Sequence, residues 1–83
     1  MNRFALITGA SSGIGLALSK LLLESENDIT VIAVCRDRTK LRDLFAKFLG
    51  RLIIVDADIA TEEGRTHLTD TISIIPHINF IVH

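Results

Sequence analysis

The chain has one cysteine, one proline, three histidines and neither tryptophan nor tyrosine. The single thiol, Cys35, has no internal partner, so a disulfide scaffold is excluded and a reducing compartment is expected. Nine basic residues stand against ten acidic ones. No basic face or tail argues for nucleic acid, and none is expected as a partner. No stretch reaches the roughly 18 consecutive apolar residues that span a bilayer, so no membrane partner is expected either. Met1-Asn2-Arg3 leads directly into an apolar strand, which leaves no room for a signal peptide; the expected location is the cytoplasm. His67 and His77 lie ten residues apart without cysteine or carboxylate at ligand spacing, so no metal site is expected. Ser11, Ser12 and Ser19 belong to no Gly-x-Ser-x-Gly elbow or Ser-His-acid arrangement, and no catalytic residue is assigned.

What the chain does have is an octet, Thr8-Gly9-Ala10-Ser11-Ser12-Gly13-Ile14-Gly15, between an apolar run, Phe4-Ala5-Leu6-Ile7, and a helical pattern. Strand, glycine-rich turn and helix N-terminus together make a place for a phosphate, because the first turn of a helix offers unpaired N–H groups and a partial positive charge. Gly9 permits the sharp turn. Gly13 removes a Cβ where the backbone must approach an anion, and Gly15 lets the helix pack closely on the sheet. No Lys-Ser or Lys-Thr follows the last glycine, so a nucleoside-triphosphate P-loop is excluded. The turn suits a pyrophosphate.

Strand and helix patterns then alternate without a linker. Strands are expected over Arg3 to Thr8, Ile29 to Cys35, Leu52 to Val55 and Ile78 to Val82. Helices are expected over Gly13 to Glu24, with Leu18, Leu21 and Leu22 toward the sheet, and over Arg38 to Leu49, with Leu41, Leu44, Phe45 and Phe48 on one stripe. Asp37 is the expected N-cap of the second helix and Gly50 its terminator. A third helix, Thr61 to Ile74, is closed by Pro76 and weakened by Gly64 and by four threonines. This βαβαβαβ order predicts an α/β fold, a partial Rossmann or doubly wound parallel sheet in the order 3-2-1-4. The first two helices cover one face, the third covers the other, and the ligand crevice lies where the order reverses.

The octet resembles the Thr-Gly-x-x-x-Gly-x-Gly cofactor signature of the short-chain dehydrogenases/reductases, and the resemblance extends over essentially the whole chain. It implies that Gly9, Ser11, Ser12, Gly13, Ile14 and Gly15 meet a nicotinamide dinucleotide, the serines by donating hydroxyl hydrogen bonds, while Thr8 is structural. It further implies that the residue after the second strand reads the adenosine ribose. Arg36 and Asp37 both stand there: a guanidinium pairs bidentately with the 2′-phosphate of NADP, whereas a carboxylate repels it. NADP is the expected cofactor, with NAD the alternative, since Ser12 stands where many NADP members carry a second basic residue. Asp58-Ile59 is similar to the family's Asp-hydrophobic pair at the adenine. Asp56 competes, but Asp58 leaves Ala60-Thr61-Glu62-Glu63 where the family begins its next helix.

The fourth strand resembles the one that in this family continues into an Asn-Asn-Ala-Gly turn; the catalytic Ser and the Tyr-x-x-x-Lys pair follow that turn in the family, and this chain has no tyrosine. The resemblance therefore covers the cofactor-binding half. The expected function is that of the NAD(P)-binding segment of an oxidoreductase moving hydride between NADP(H) and a carbonyl or alcohol. The alternative is a non-catalytic half-fold that binds a nucleotide or a protein partner, for which self-association through an unpaired fourth strand is expected.

Overall fold

In the computed structural model, residues 3–10, 13–75 and 77–82 are described; Ser11, Ser12, Pro76 and His83 lie outside them. The chain runs β1 (Arg3–Thr8), α1 (Gly13–Ser25), β2 (Ile29–Cys35), a 3-10 turn (Arg38–Leu41), α2 (Arg42–Lys47), β3 (Leu52–Asp56), α3 (Glu62–Ile72) and β4 (Phe80–Val82). The four strands form one parallel sheet in the order β3-β2-β1-β4, as the βαβ repeats require. Every residue of β2 is buried, which its unbroken Ile-Thr-Val-Ile-Ala-Val-Cys run foreshadows.

Alternation along the strands divides the core in two. Ala5, Ile7, Val31 and Ala33 join Leu23, Leu41 and Leu44 beneath α1 and α2. Leu6, Ile32, Val34 and Val55 face the other way, where Leu68 of α3 packs with Ile75 and Ile78. Burying each such aliphatic side chain is worth about 1.5–3 kcal/mol.

Two helical stripes differ from expectation. On α1 the buried residues are Gly15, Ser19 and Leu23, with Leu16, Leu18 and Leu22 beside them, while Leu21 is 59% exposed. Small residues occupy the line nearest the sheet, and Leu21 lies about 200° around the helix from Ser19 and from Leu23. The buried Ser19 hydroxyl donates to the Gly15 carbonyl at 2.8 Å, so no polar group is stranded. The second helix opens as a 3-10 turn and its α-helical part ends at Lys47, ahead of Gly50 at φ +83°. Leu41, which closes the 3-10 turn, and Leu44 in α2 are buried, while Phe45 stands at the rim, 39% exposed. On α3 the Thr69 and Thr71 hydroxyls donate to the carbonyls four residues back, at 2.9 and 2.8 Å, so these threonines fit within the helix.

The amino ends of the strands carry a charged clamp. Arg51 donates to the carbonyls of Ile29, Leu23 and Glu26. It thus supplies the cation that the last turn of α1 lacks in its own sequence. The Arg3 guanidinium binds both oxygens of Asp28, at 2.8 and 2.7 Å. Those hydrogen bonds hold the Asp28 carboxyl below its ordinary 3.8. A lowered folded-state value means the pair stabilises the fold above the unfolded pKa and loses that effect as pH falls through the folded one. Asp28→Asn is therefore expected to be less stable than the parent at about pH 7, with the gap narrowing as pH falls below the ordinary carboxylate range, by urea unfolding. A stability gap that persists at the lower pH would show that Asp28 acts through something other than its charge.

Candidate functional site

A cleft of about 650 Å³ opens at the carboxyl ends of the strands, where the sheet order reverses between β1 and β4. Its walls include Thr8, Gly9, Ile14, Gly15, Arg36, Asp58, Ile59 and Val82. Residues from both ends of the chain meet here because all four parallel strands deliver their carboxyl ends to one edge.

Gly9 and Gly15 each meet a local backbone demand. Gly9 takes φ +64°, and the Ala10 N–H donates to the Val34 carbonyl at 3.0 Å, pinning the turn against β2. A Cβ on Gly15 would lie 2.3 Å from the Gly9 carbonyl oxygen, so α1 rests directly on the turn. A Cβ on Gly13 would meet nothing within 4 Å. The first turn of α1 carries no acidic side chain to neutralise its positive end. Ile14, 85% exposed, stands at the lip of the cleft. The Thr8 hydroxyl donates to the Val82 carbonyl at 3.3 Å, joining β1 to β4 at the edge of the cleft.

Beyond β2 the adjacent charges part. Arg36 lines the cleft. Asp37 is absent from its walls; the carboxylate caps the 3-10 turn, accepting from the Thr39 N–H at 3.1 Å and from the Thr39 hydroxyl. The Asp37 carboxyl is lowered from its ordinary value first by the Thr39 hydroxyl and then by the Thr39 N–H. Cys35 is 3% exposed, and burial pushes its thiol up, with the nearby Asp56 charge adding to the effect.

Asp58 and Ile59 form the opposite wall, while Asp56, the last residue of β3, does not line the cleft. Asp58 Oδ1 accepts from the Ala60 N–H at 3.0 Å, and the Asp58 carbonyl accepts from both the N–H and the hydroxyl of Thr61. The Thr61 hydroxyl in turn accepts from the Gly64 N–H at 3.0 Å, capping α3. Gly64 is more than a weak helix former, since a Cβ there would fall 1.9 Å from the Asp58 carbonyl oxygen. A reading of the sequence passes over Thr39 and takes Gly64 only as a weak helix former. The visible sign of the first is an Asp-x-Thr at a helix start; that of the second is a glycine three residues beyond a threonine cap.

This geometry has known counterparts. A family model described as short chain dehydrogenase matches residues 3–83. The human 3-keto-steroid reductase/17-beta-hydroxysteroid dehydrogenase 7 is 38% identical over 65 residues, covering 72% of this chain and 19% of that protein. The chain thus spans about a fifth of that relative's length. L-Sorbose reductase from Gluconobacter frateurii, solved with NADPH and L-sorbose, superposes with a TM-score of 0.75 at 30% identity, over 96% of this chain and 32% of its own. A 4-hydroxyisoleucine dehydrogenase solved with NADH gives 0.75 at 32% identity, over 88% of this chain and 29% of its own. The family match takes in every strand, every helix and the cleft they frame, and this chain belongs to the short chain dehydrogenase family.

Proposed function

We propose that residues 1–83 hold the adenosine and pyrophosphate of a nicotinamide dinucleotide, preferentially NADP(H), for an oxidoreductase that moves hydride between that cofactor and a carbonyl or alcohol. The observation that carries the reading is the meeting, in one cleft, of Arg36 with the acid-free amino end of α1. In this reading the pyrophosphate lies over Gly13, where the backbone stands open, and is met by N–H groups of the first turn of α1, Ile14 and Gly15 among them. Such hydrogen bonds to a charged oxygen are worth about 1.5–3 kcal/mol each. Ser11 and Ser12 add hydroxyl donors. Arg36 pairs with the 2′-phosphate, and Asp58 receives the adenine amino group beside the Ile59 N–H. A carboxylate accepts several hydrogen bonds at once, so the Ala60 contact leaves Asp58 acceptor capacity.

When bound, the nicotinamide supplies the hydride chemistry. These residues bind and orient it. NADPH in the sorbose reductase and NADH in the hydroxyisoleucine dehydrogenase agree with a nicotinamide ligand of either kind. Arg36 favours the phosphorylated one. The unpaired, buried Cys35 suits a reducing cytoplasm.

Arg36→Asp tests the assignment. Losing a bidentate charge-assisted pair and gaining a repulsive charge is expected to weaken NADPH binding by roughly 100-fold, with a far smaller change for NADH. Equal losses for both dinucleotides, in titration calorimetry, would remove Arg36 from the ribose.

A further inference from the structure

Arg36 and Asp37 are adjacent and oppositely charged, the first on the cleft wall and the second outside it; a ribose 2′-phosphate would be attracted by one and repelled by the other. Consecutive Cα atoms are only about 3.8 Å apart, so the two side chains differ in effect through direction rather than distance. The direction of Asp37 is visible. Its Oδ1 takes both donors of Thr39, the backbone N–H and the hydroxyl, while Arg36 is left at the wall. Asp37 itself is in extended backbone, at φ −129° and ψ 91°, with the carboxylate reached by rotation about its own side-chain bonds. The Thr39 hydroxyl is therefore one of two donors that fix where a full negative charge sits.

We propose that Thr39 is a specificity-determining positioning residue: by holding the Asp37 carboxylate on the helical turn, it lets Arg36 alone present charge to the cofactor's ribose. This rests on the cofactor reading above and deepens it. Thr39 touches no part of the dinucleotide in this account; it acts through Asp37. The N–H of residue 39 survives any substitution but proline, so the hydroxyl is the part that side-chain changes can remove.

The test is the ratio of NADPH to NADH affinity, measured by titration calorimetry on the protein and its variants. A ratio is used because a loss of folded molecules lowers binding of both dinucleotides together. Thr39→Val keeps the shape and removes the hydroxyl. Loosening the carboxylate, left with the N–H alone, is expected to lower the ratio about tenfold. Thr39→Ser, which restores the hydroxyl, is expected to return it to within about twofold of the parent. In an Asp37→Asn background, Thr39→Val is expected to change the ratio by less than about twofold, since no carboxylate remains to be released. An unchanged ratio in Thr39→Val, in a protein that still prefers NADPH, overturns the inference and leaves the cofactor reading in place. A drop that persists in the Asp37→Asn background also overturns it, because the effect would not pass through the carboxylate. A parent protein that binds neither dinucleotide overturns both.

Discussion

Gly64→Ala is expected to destabilise the fold by about 3 kcal/mol, as large as emptying part of a core. The added methyl carbon would stand 1.9 Å from the Asp58 carbonyl oxygen and 2.5 Å from its carbon. Both obstacles are backbone, and that carbonyl is already bonded to the N–H and the hydroxyl of Thr61. Neither side can yield without breaking the cap of α3. An exposed position on the same helix gives the control. Thr66→Ala adds no clash and improves helix propensity, so its expected effect is within about 0.5 kcal/mol of zero or stabilising. Urea unfolding of the two variants decides the matter. A Gly64→Ala loss under about 1 kcal/mol would show that α3 slides away freely and that the contact does not hold Asp58 in place.

Gly15→Ala is the second large effect, and it joins stability to the cleft. Its Cβ would lie 2.3 Å from the Gly9 carbonyl oxygen and 2.8 Å from the carbon, so α1 must lift from the turn after β1. Overpacking of this kind costs about 1–3 kcal/mol, of which the better helix propensity of alanine returns up to ~1 kcal/mol. The larger consequence is for binding. The N–H groups of the first turn leave the position from which, in the proposed function, they meet a pyrophosphate. Affinity for NADPH and for NADH is expected to fall together by on the order of 100-fold, as for one or two lost charge-assisted hydrogen bonds. Calorimetry on the folded variant checks this. A variant that keeps its affinity would place the pyrophosphate elsewhere.

The parts of this molecule that can be read from sequence are those set by burial and by local backbone demand. β2 begins and ends where expected because both its faces are covered and its flanks are charged. β4 starts two residues later than its apolar pattern suggests, at Phe80. Ile78 belongs to the core under the sheet, and Asn79 pairs with Phe4 partly through its side chain, so apolar character there does not mean a ladder position. Leu21 departs from expectation for a related reason: helical spacing identifies a face, but the centre of that face follows the closest approach to the sheet, set by Gly15 and Ser19 on α1. At the cleft, Gly9 and Gly15 were legible because each answers a local need, a positive φ at the first and the close approach of α1 at the second. The Gly64 contact was not, since its partner is a carbonyl and every residue has one. The capping role of Asp37 was legible as an N-cap, but the second donor to its carboxylate, the Thr39 hydroxyl, was not.

The place of each strand along the chain also orders the assembly of the sheet in time. β1 pairs with β2 about 26 residues on, and β2 with β3 about 21 on, whereas Ala5 finds Phe80 across nearly the whole chain. Closing the longest of these loops costs only about 1 kcal/mol more than closing the shortest, because loop entropy grows with the logarithm of length. The delay comes instead from synthesis, which proceeds at about 5–20 residues per second and releases β4 last. Gly9, Arg36 and Asp58 all precede it. The wall that carries the turn, the guanidinium and the carboxylate can therefore assemble on the nascent chain before the strand bearing Val82 closes its far side.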